Sequence, residues 1–213
     1  MEEVARDGEL VLRRREDGSL ELRANGVFVM DTVETSTERE LAARALALHA
    51  APARVLVGGL GLGFTLEATL QDARVRSVTV VEIEPALVGW MRDGLVPYGP
   101  HLLADPRVEV VIADVAVALR EAPPGAYDLI LLDVDNGPGY LVHDANADLY
   151  RAPALEDARR AAGPDGLVVI WSAAESPELA ETMRQVFEAV AGHQYAVDLQ
   201  GRDESYWLYA STV

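Results

Sequence analysis

Two hydrophobic rhythms alternate along this chain. Arg54-Val-Leu-Val57, Ser77-Val-Thr-Val-Val-Glu82, Val108-Glu-Val-Val-Ile112, Tyr127-Asp-Leu-Ile-Leu-Leu-Asp133 and Gly166-Leu-Val-Val-Ile-Trp171 are short apolar runs rich in β-branched residues. Such runs read as buried strands. Between them lie segments with helical spacing: Phe64 to about Asp72, a stretch opened by Pro85, Val115–Glu121, Ala152–Ala162 and Pro177–Val190. Strands that are apolar throughout and alternate with helices predict an α/β fold. The expectation is a Rossmann-like, doubly wound and mostly parallel sheet.

Both ends of the chain break this rhythm. Glu9–Arg15, Ser19–Arg23 and Val27–Met30 are short runs separated by the tight-turn pairs Asp17-Gly18 and Asn25-Gly26. They predict a small N-terminal β unit. Thr35-Ser-Thr-Glu38 offers capping chemistry for a helix to about His49. Near the C-terminus, Tyr195–Leu199 and Ser205–Ser211 flank Gln200-Gly-Arg-Asp-Glu204, which reads as an antiparallel hairpin. The domain reading is a small β unit over residues 1–34 and one α/β domain over 35–213.

The turn after the first core strand, Val55-Leu-Val-Gly-Gly-Leu-Gly-Leu-Gly63, carries the first chemical signal. No frame of it satisfies the dinucleotide pattern Gly-x-Gly-x-x-Gly. The looser Gly59-x-Gly61-x-Gly63 of S-adenosylmethionine-binding folds does fit. Gly58, Gly59, Gly61 and Gly63 are the expected cofactor-binding positions, because glycine lets backbone approach a ligand. Glu82 ends the next strand roughly twenty residues on, where a ribose diol would sit. Taken singly, each has a plain alternative, an ordinary strand-to-helix turn and a solvated strand end. Their order favours a nucleoside cofactor.

Composition narrows the partners. The net charge of −17 argues against nucleic acid or an anionic membrane as partner. It suits a cationic small substrate, and it also serves solubility. The chain has no cysteine, so disulfides and thiolate chemistry are excluded. It has no lysine either, which excludes a Schiff base and a P-loop. No apolar run is long enough to span a bilayer and no signal-peptide pattern is present, so a cytoplasmic location is expected. His49, His101 and His193 lack metal-ligand spacing, and no metal is expected.

Ligands of open α/β sheets bind beyond the carboxyl ends of the strands. Glu82, Asp114 and Asp133 all fall there, with Asp114 able to accept from an adenine amino group. The loop after Asp133 is long and carries Asp135, Asn136, Tyr140, Asp144, Asp148 and Tyr150. It reads either as a seat for a cationic amine, lined by Asp135, Asn136 and Tyr140, or as a solvated loop rich in turns. His143 reads as a loop residue, and Trp171 and Trp207 as packing residues.

These residues together resemble the spermidine synthase family. The shared frame runs from about residue 20 to the C-terminus. It includes the glycine turn with Glu67 downstream, Val81-Glu-Ile-Glu-Pro85, Asp105-Pro-Arg-Val-Glu109, Ile112-Ala-Asp114 and the strand ending at Asp133. Gly137-Pro138, Leu149-Tyr150, Pro164-Asp-Gly166 and Tyr206-Trp-Leu-Tyr-Ala-Ser211 continue it. The resemblance implies transfer of an aminopropyl group from decarboxylated S-adenosylmethionine to a small amine, in a homodimer. It casts Glu82 as ribose ligand, Asp114 as adenine contact and Asp133 as catalytic base. Several positions depart from the family. Gly61 stands where its turn has an acid, and Asn136 where it has a second catalytic Asp. Val29 replaces a Gln, Glu34-Thr35 an Asp-Glu pair, and Glu38-Arg39-Glu40 a Tyr-His-Glu, of which only the last Glu remains. Two alternatives stand beside aminopropyl transfer. One is methyl transfer from intact S-adenosylmethionine, and the other is a non-catalytic nucleoside- or partner-binding relative.

Overall fold

The computed structural model describes residues 1–135, 137–139, 141, 144–199 and 202–212. The chain opens with four antiparallel strands in meander order: β1 (Glu2–Asp7), β2 (Leu10–Arg14), β3 (Leu20–Ala24) and β4 (Val27–Asp31). Helix α1 (Ser36–Leu48) leads into the main domain. There β5 (Arg54–Gly58), α2 (Phe64–Leu70), β6 (Ser77–Glu82), α3 (Pro85–Arg92), α4 (Gly99–Leu103) and β7 (Val108–Ile112) follow. Next come α5 (Val115–Glu121), β8 (Leu129–Leu132), a 3₁₀ helix over Asp144–Tyr150, α6 (Ala152–Ala162), β9 (Leu167–Ser172) and α7 (Pro177–Val186). Strands β10 (Ala189–Leu199) and β11 (Arg202–Thr212) close the fold.

The seven-stranded sheet has the order β10-β11-β9-β8-β5-β6-β7. Strands β5 to β9 run parallel, and β11 and β10 are added antiparallel at one edge. This is the mostly parallel α/β sheet with a C-terminal hairpin that the hydrophobic rhythm predicts. Successive strand residues point to opposite faces, and each face has its own core. Val55, Val57, Leu129, Leu131 and Val169 pack with α1, α2, α3 and the N-terminal sheet. Leu56, Ile130, Leu132, Val168 and Ile170 pack with α5, α6 and α7. Among the described residues, no helix is long and apolar enough to cross a membrane.

Four local outcomes differ from the sequence expectation. Strand β1 was not anticipated, because Glu2-Glu-Val-Ala-Arg-Asp7 has no apolar alternation; it is an exposed edge strand held by its ladder to β2. Charged residues suit such an edge. Helix α4 is also new, a short turn with proline in its first positions. Helix α7 ends at Val186 rather than Val190. From Ala189 the chain joins an eleven-residue ladder with β11, and β10 begins well before Tyr195. Finally, the Thr35 side chain does not cap α1; Glu34 Oε1 accepts from the Ser36 N–H at 2.8 Å instead.

The N-terminal sheet owes its shape to a turn and an ion cluster. Asn25 (φ 51°) and Gly26 (φ 75°) both take left-handed backbone, as a two-residue hairpin turn requires. Arg15 bridges Glu21 and Asp31 at 2.7 Å each, and both carboxylates are buried. Asp31 Oδ1 also accepts from the Val33 and Glu34 N–H groups, which sets the path into α1. Arg15→Met takes the guanidinium from buried Asp31 and leaves Glu21 only its 3.2 Å pairing with Arg23. It should lower unfolding stability by about 2–4 kcal/mol in urea titration, and an unchanged midpoint would contradict this account of the cluster.

Candidate active site

After β5 the chain moves to β6 and β7 on one side, then returns to place β8 on the other. The switch point lies between β5 and β8, and a crevice opens at their carboxyl ends. Asp133 N–H donates to Gly58 O at 2.8 Å, and Gly59 N–H donates to Val81 O at 2.8 Å. These bonds press Gly59 (φ +92°) against the Asp133 carbonyl. A Cβ on Gly59 would fall 2.1 Å from that oxygen, so glycine is required. Gly61 (φ +49°) sits under Met30 of β4, whose Sδ would lie 2.6 Å from its Cβ and accepts the Leu62 N–H at 3.1 Å. The N-terminal sheet therefore closes directly over the glycine turn.

A cleft occupies this junction. At one end it is walled by Glu82, Ile83, Glu84, Ala113, Asp114 and Val115. Glu82 is buried, and its two oxygens accept from Leu60 N–H and Glu84 N–H, both at 2.8 Å. Burial raises its pKa, and the backbone donors oppose the shift. Those bonds hold the carboxylate rigidly at the end of β6, with lone pairs still available to ligand hydroxyls. Asp114 caps α5 through Oδ1, which accepts from Ala116 N–H at 2.7 Å, and it lines the same end. Ile83 is 42% exposed and offers an apolar surface at the rim.

At the other end stand two carboxylates from different elements. Asp133 follows β8, and its Oδ2 accepts from Thr65 Oγ1 at 2.6 Å. Glu38 lies in the first turn of α1, is 8% exposed, and accepts from Thr37 Oγ1 at 2.8 Å. Burial raises the Asp133 pKa to about 6, against the opposing Thr65 bond. Burial first, and the Asp133 charge second, raise Glu38 to about 7. Arg39, beside Glu38 in sequence, is engaged elsewhere. It pairs with Glu67 at 2.6 Å and lies 5.2 Å from the Phe64 ring centroid.

The segment after Asp133 is anchored by its own polar contacts. Asp135 has left-handed backbone (φ 54°), and its Oδ2 accepts from Asn146 Nδ2 at 2.9 Å. Tyr150 Oη donates to Val134 O at 2.7 Å. Asp135 and the buried Asn146 both line the cleft.

The structure thus brings Gly59, Gly61, Glu82, Asp114, Asp133 and Asp135 to one cleft. Gly58 and Gly63, also expected as cofactor positions, face core side chains instead. Gly58 lies against Val115 and Leu132, and Gly63 against Met91 and Leu102 at the start of α2. Asn136, Tyr140 and His143 lie outside the described residues. Among the described residues, no group of His, Asp or Glu could hold a metal ion. Sequence reasoning missed Glu38, Thr65, Asn146 and Trp171 as part of the site. Trp171 packs edge-on against Tyr206 at 5.1 Å and also lines the cleft. Glu38 carried one signal, an acid spaced for the inner face of α1.

The raised Glu38 pKa makes stability depend on pH. Between 4.5 and about 7 the folded state holds more protons than the unfolded chain. Stability therefore falls as pH rises through that window and stays lower above it. Glu38→Gln keeps the acceptor for Thr37 and removes the charge. It should melt higher than the wild type at about pH 8, by up to about 3 kcal/mol, with the gap closing towards about pH 4.5. A gap independent of pH in thermal melts would contradict the assigned burial.

Comparison with known proteins agrees with this geometry. The family model of the spermine/spermidine synthase domain matches residues 34–198. Putrescine N-methyltransferase 3 of Nicotiana tabacum is 30% identical over 154 residues, covering 68% of this chain and 38% of that protein. The polyamine aminopropyltransferase of Synechococcus sp. (strain JA-2-3B'a(2-13)) is 33% identical over 150 residues, covering 65% and 46%. The chain thus spans less than half the length of these relatives. A spermidine synthase in complex with the transition-state analogue AdoDATO superposes with a TM-score of 0.82 at 19% identity, covering 98% of this chain and 72% of that one. Spermidine synthase from Thermotoga maritima gives 0.79 at 19%, covering 95% and 68%. At that identity the structural likeness speaks for the fold, and the family match for kinship. The chain belongs to the spermine/spermidine synthase family.

Proposed function

We propose that this protein transfers an aminopropyl group from decarboxylated S-adenosylmethionine to a small amine. The observation that carries the reading is the charge of the cleft. Six carboxylates line it, from Glu38, Glu82, Glu84, Asp114, Asp133 and Asp135, and no arginine or histidine does among the described residues. Such a wall attracts a sulfonium and an ammonium and repels a carboxylate. Decarboxylated S-adenosylmethionine has lost the carboxylate that the intact cofactor carries.

The residues present fit the nucleoside. The backbone at Gly59 and Gly61 leaves a surface that a side chain would fill, and Glu82 is oriented for ribose hydroxyls. Asp114 faces the adenine amino group in this reading, with Ile83 against the ring. When bound, the sulfonium supplies an activated carbon and a thioether leaving group. The protein holds and deprotonates the acceptor. An alkylammonium has no lone pair and a reference pKa of about 10.4. Asp133 draws it in charged and accepts its proton. Holding the amine nitrogen against the reacting carbon supplies much of the rate.

Methyl transfer is the second reading. Gly61 stands where the family has an acid, and Met30 covers it, so this part of the cleft is apolar. An aminopropyl tail would find no acid within the glycine turn itself. The kinship to putrescine N-methyltransferases points the same way.

Incubation with putrescine and either cofactor, followed by mass analysis of the amine, separates the two. An aminopropylated product formed only with the decarboxylated cofactor is the expected outcome; a methylated amine formed with the intact cofactor would replace the first reading. Asp133→Asn should cut transfer on the order of 10²- to 10⁴-fold. It should leave 5′-methylthioadenosine binding nearly intact. Equal loss of both would make Asp133 a nucleoside or structural residue.

A further inference from the structure

We propose that Glu38 is a second catalytic carboxylate, which with Asp133 forms a pair that seats the acceptor ammonium and takes its proton. This deepens the transferase reading above and rests on it. The geometry brings the two groups together from opposite sides of the same wall. Glu38 arrives on α1 and Asp133 at the end of β8, and both line the cleft. Thr65 of α2 stands between their elements, donating to Asp133 Oδ2 at 2.6 Å with its Oγ1 3.4 Å from the Glu38 backbone carbonyl oxygen. Thr37 donates to Glu38 Oε2 and fixes the second carboxylate. Both carboxylates are held by hydroxyls, and among the described residues no ion pair to either is seen. Arg39, the nearest guanidinium in sequence, is committed to Glu67 and Phe64.

A second feature of this end points to a ligand. Trp171 is 6% exposed and lines the cleft, and its buried Nε1–H has no hydrogen-bond partner among the described residues. A buried donor of this kind costs free energy unless something in the cleft accepts it. The cleft end near Glu38 and Asp133 therefore offers two anionic acceptors and one unsatisfied donor. A primary ammonium gives its protons to the two acceptors, and the one lone pair freed on its nitrogen is left for the electrophilic carbon.

Two buried carboxylates in one site hold their protons more tightly than either alone, and they titrate as a pair. Burial raises both groups, and the Asp133 charge adds to the rise of Glu38. The other ionisable groups around the pair are Glu34 ahead of α1, the Tyr98 and Tyr150 hydroxyls, Asp135, and the Arg39–Glu67 ion pair. Burial pushes both tyrosine pKa values upward, so their hydroxyls stay neutral near pH 7. An entering ammonium drives the pair towards its doubly ionised form, and the displaced proton leaves to solvent. In the reacting complex one N–H bond of the ammonium breaks and one O–H bond forms on the pair. The electron pair stays on nitrogen, which becomes the nucleophile. The pair then holds one proton, and its net charge returns from −2 to −1 as the substrate nitrogen loses its positive charge.

The test uses the full chain and two readouts. Carboxyl-carbon NMR titration of the free protein should show two coupled steps for Asp133 and Glu38. Glu38→Gln should remove one and move the Asp133 step to lower pH. Calorimetry with putrescine, in the presence of 5′-methylthioadenosine and in buffers of different ionisation heat, should show proton release in the wild type. In Glu38→Gln that release should vanish and putrescine affinity should fall about 10- to 100-fold. 5′-Methylthioadenosine affinity should stay within about twofold, as expected of a group that makes no nucleoside contact. An Asp133 titration unmoved by Glu38→Gln would overturn the pair. So would putrescine binding without proton release, or without dependence on Glu38. Failure of the wild type to bind 5′-methylthioadenosine would sink the transferase reading beneath it, and is recognisable because it needs no variant.

Discussion

The close approach of Gly59 to the Asp133 carbonyl organises this molecule. It lies where the two central parallel strands separate, and any side chain on Gly59 would collide with that oxygen. Because the backbones meet there, the end of β8 and the glycine turn share one wall. The Asp133 carboxylate then falls beside the turn, and Glu82 reaches the turn from β6 through Leu60 N–H. The N-terminal sheet depends on the same junction, since Met30 rests on Gly61. A small β unit that looks like an appendage in sequence is in fact the roof of the cleft.

Charge completes the picture. The cleft gathers carboxylates at a cost in stability, because burial opposes their ionised form. Glu82 is relieved by two backbone donors, and Asp133 and Glu38 each by one hydroxyl. Elsewhere the chain pairs its buried acids with arginine, as Glu21 and Asp31 do with Arg15. That contrast is what the proposed function rests on, a cleft that receives its cation from the substrate.

Much of this was legible in the sequence, for physical reasons. The core strands announce themselves because both faces are buried, so every position in Leu129–Leu132 is apolar. Glycine at 59 and 61 and acids at 82, 114 and 133 are read from their place at strand ends. The turn Asn25-Gly26 is legible because left-handed backbone restricts residue choice. Glu38 was not legible as a partner of Asp133. Their meeting depends on how α1 crosses the sheet, and no local pattern encodes that. Strand β1 and the start of β10 were missed because exposed edge strands need no apolar alternation; ladder bonds alone define them. Gly58 and Gly63 are not in the lining of the cleft, and a Cβ on either would meet core side chains. Tight packing and a left-handed helix start also call for glycine, and spacing does not distinguish those demands from ligand contact.

The central claim is that a nucleoside site sits in a cleft whose walls repel carboxylates. Competition calorimetry between 5′-methylthioadenosine and S-adenosylhomocysteine tests it directly, because the two share the adenosine thioether and differ in the tail that carries the carboxylate. The account predicts tighter binding of 5′-methylthioadenosine. Preference for S-adenosylhomocysteine, or no binding of either compound, would contradict it.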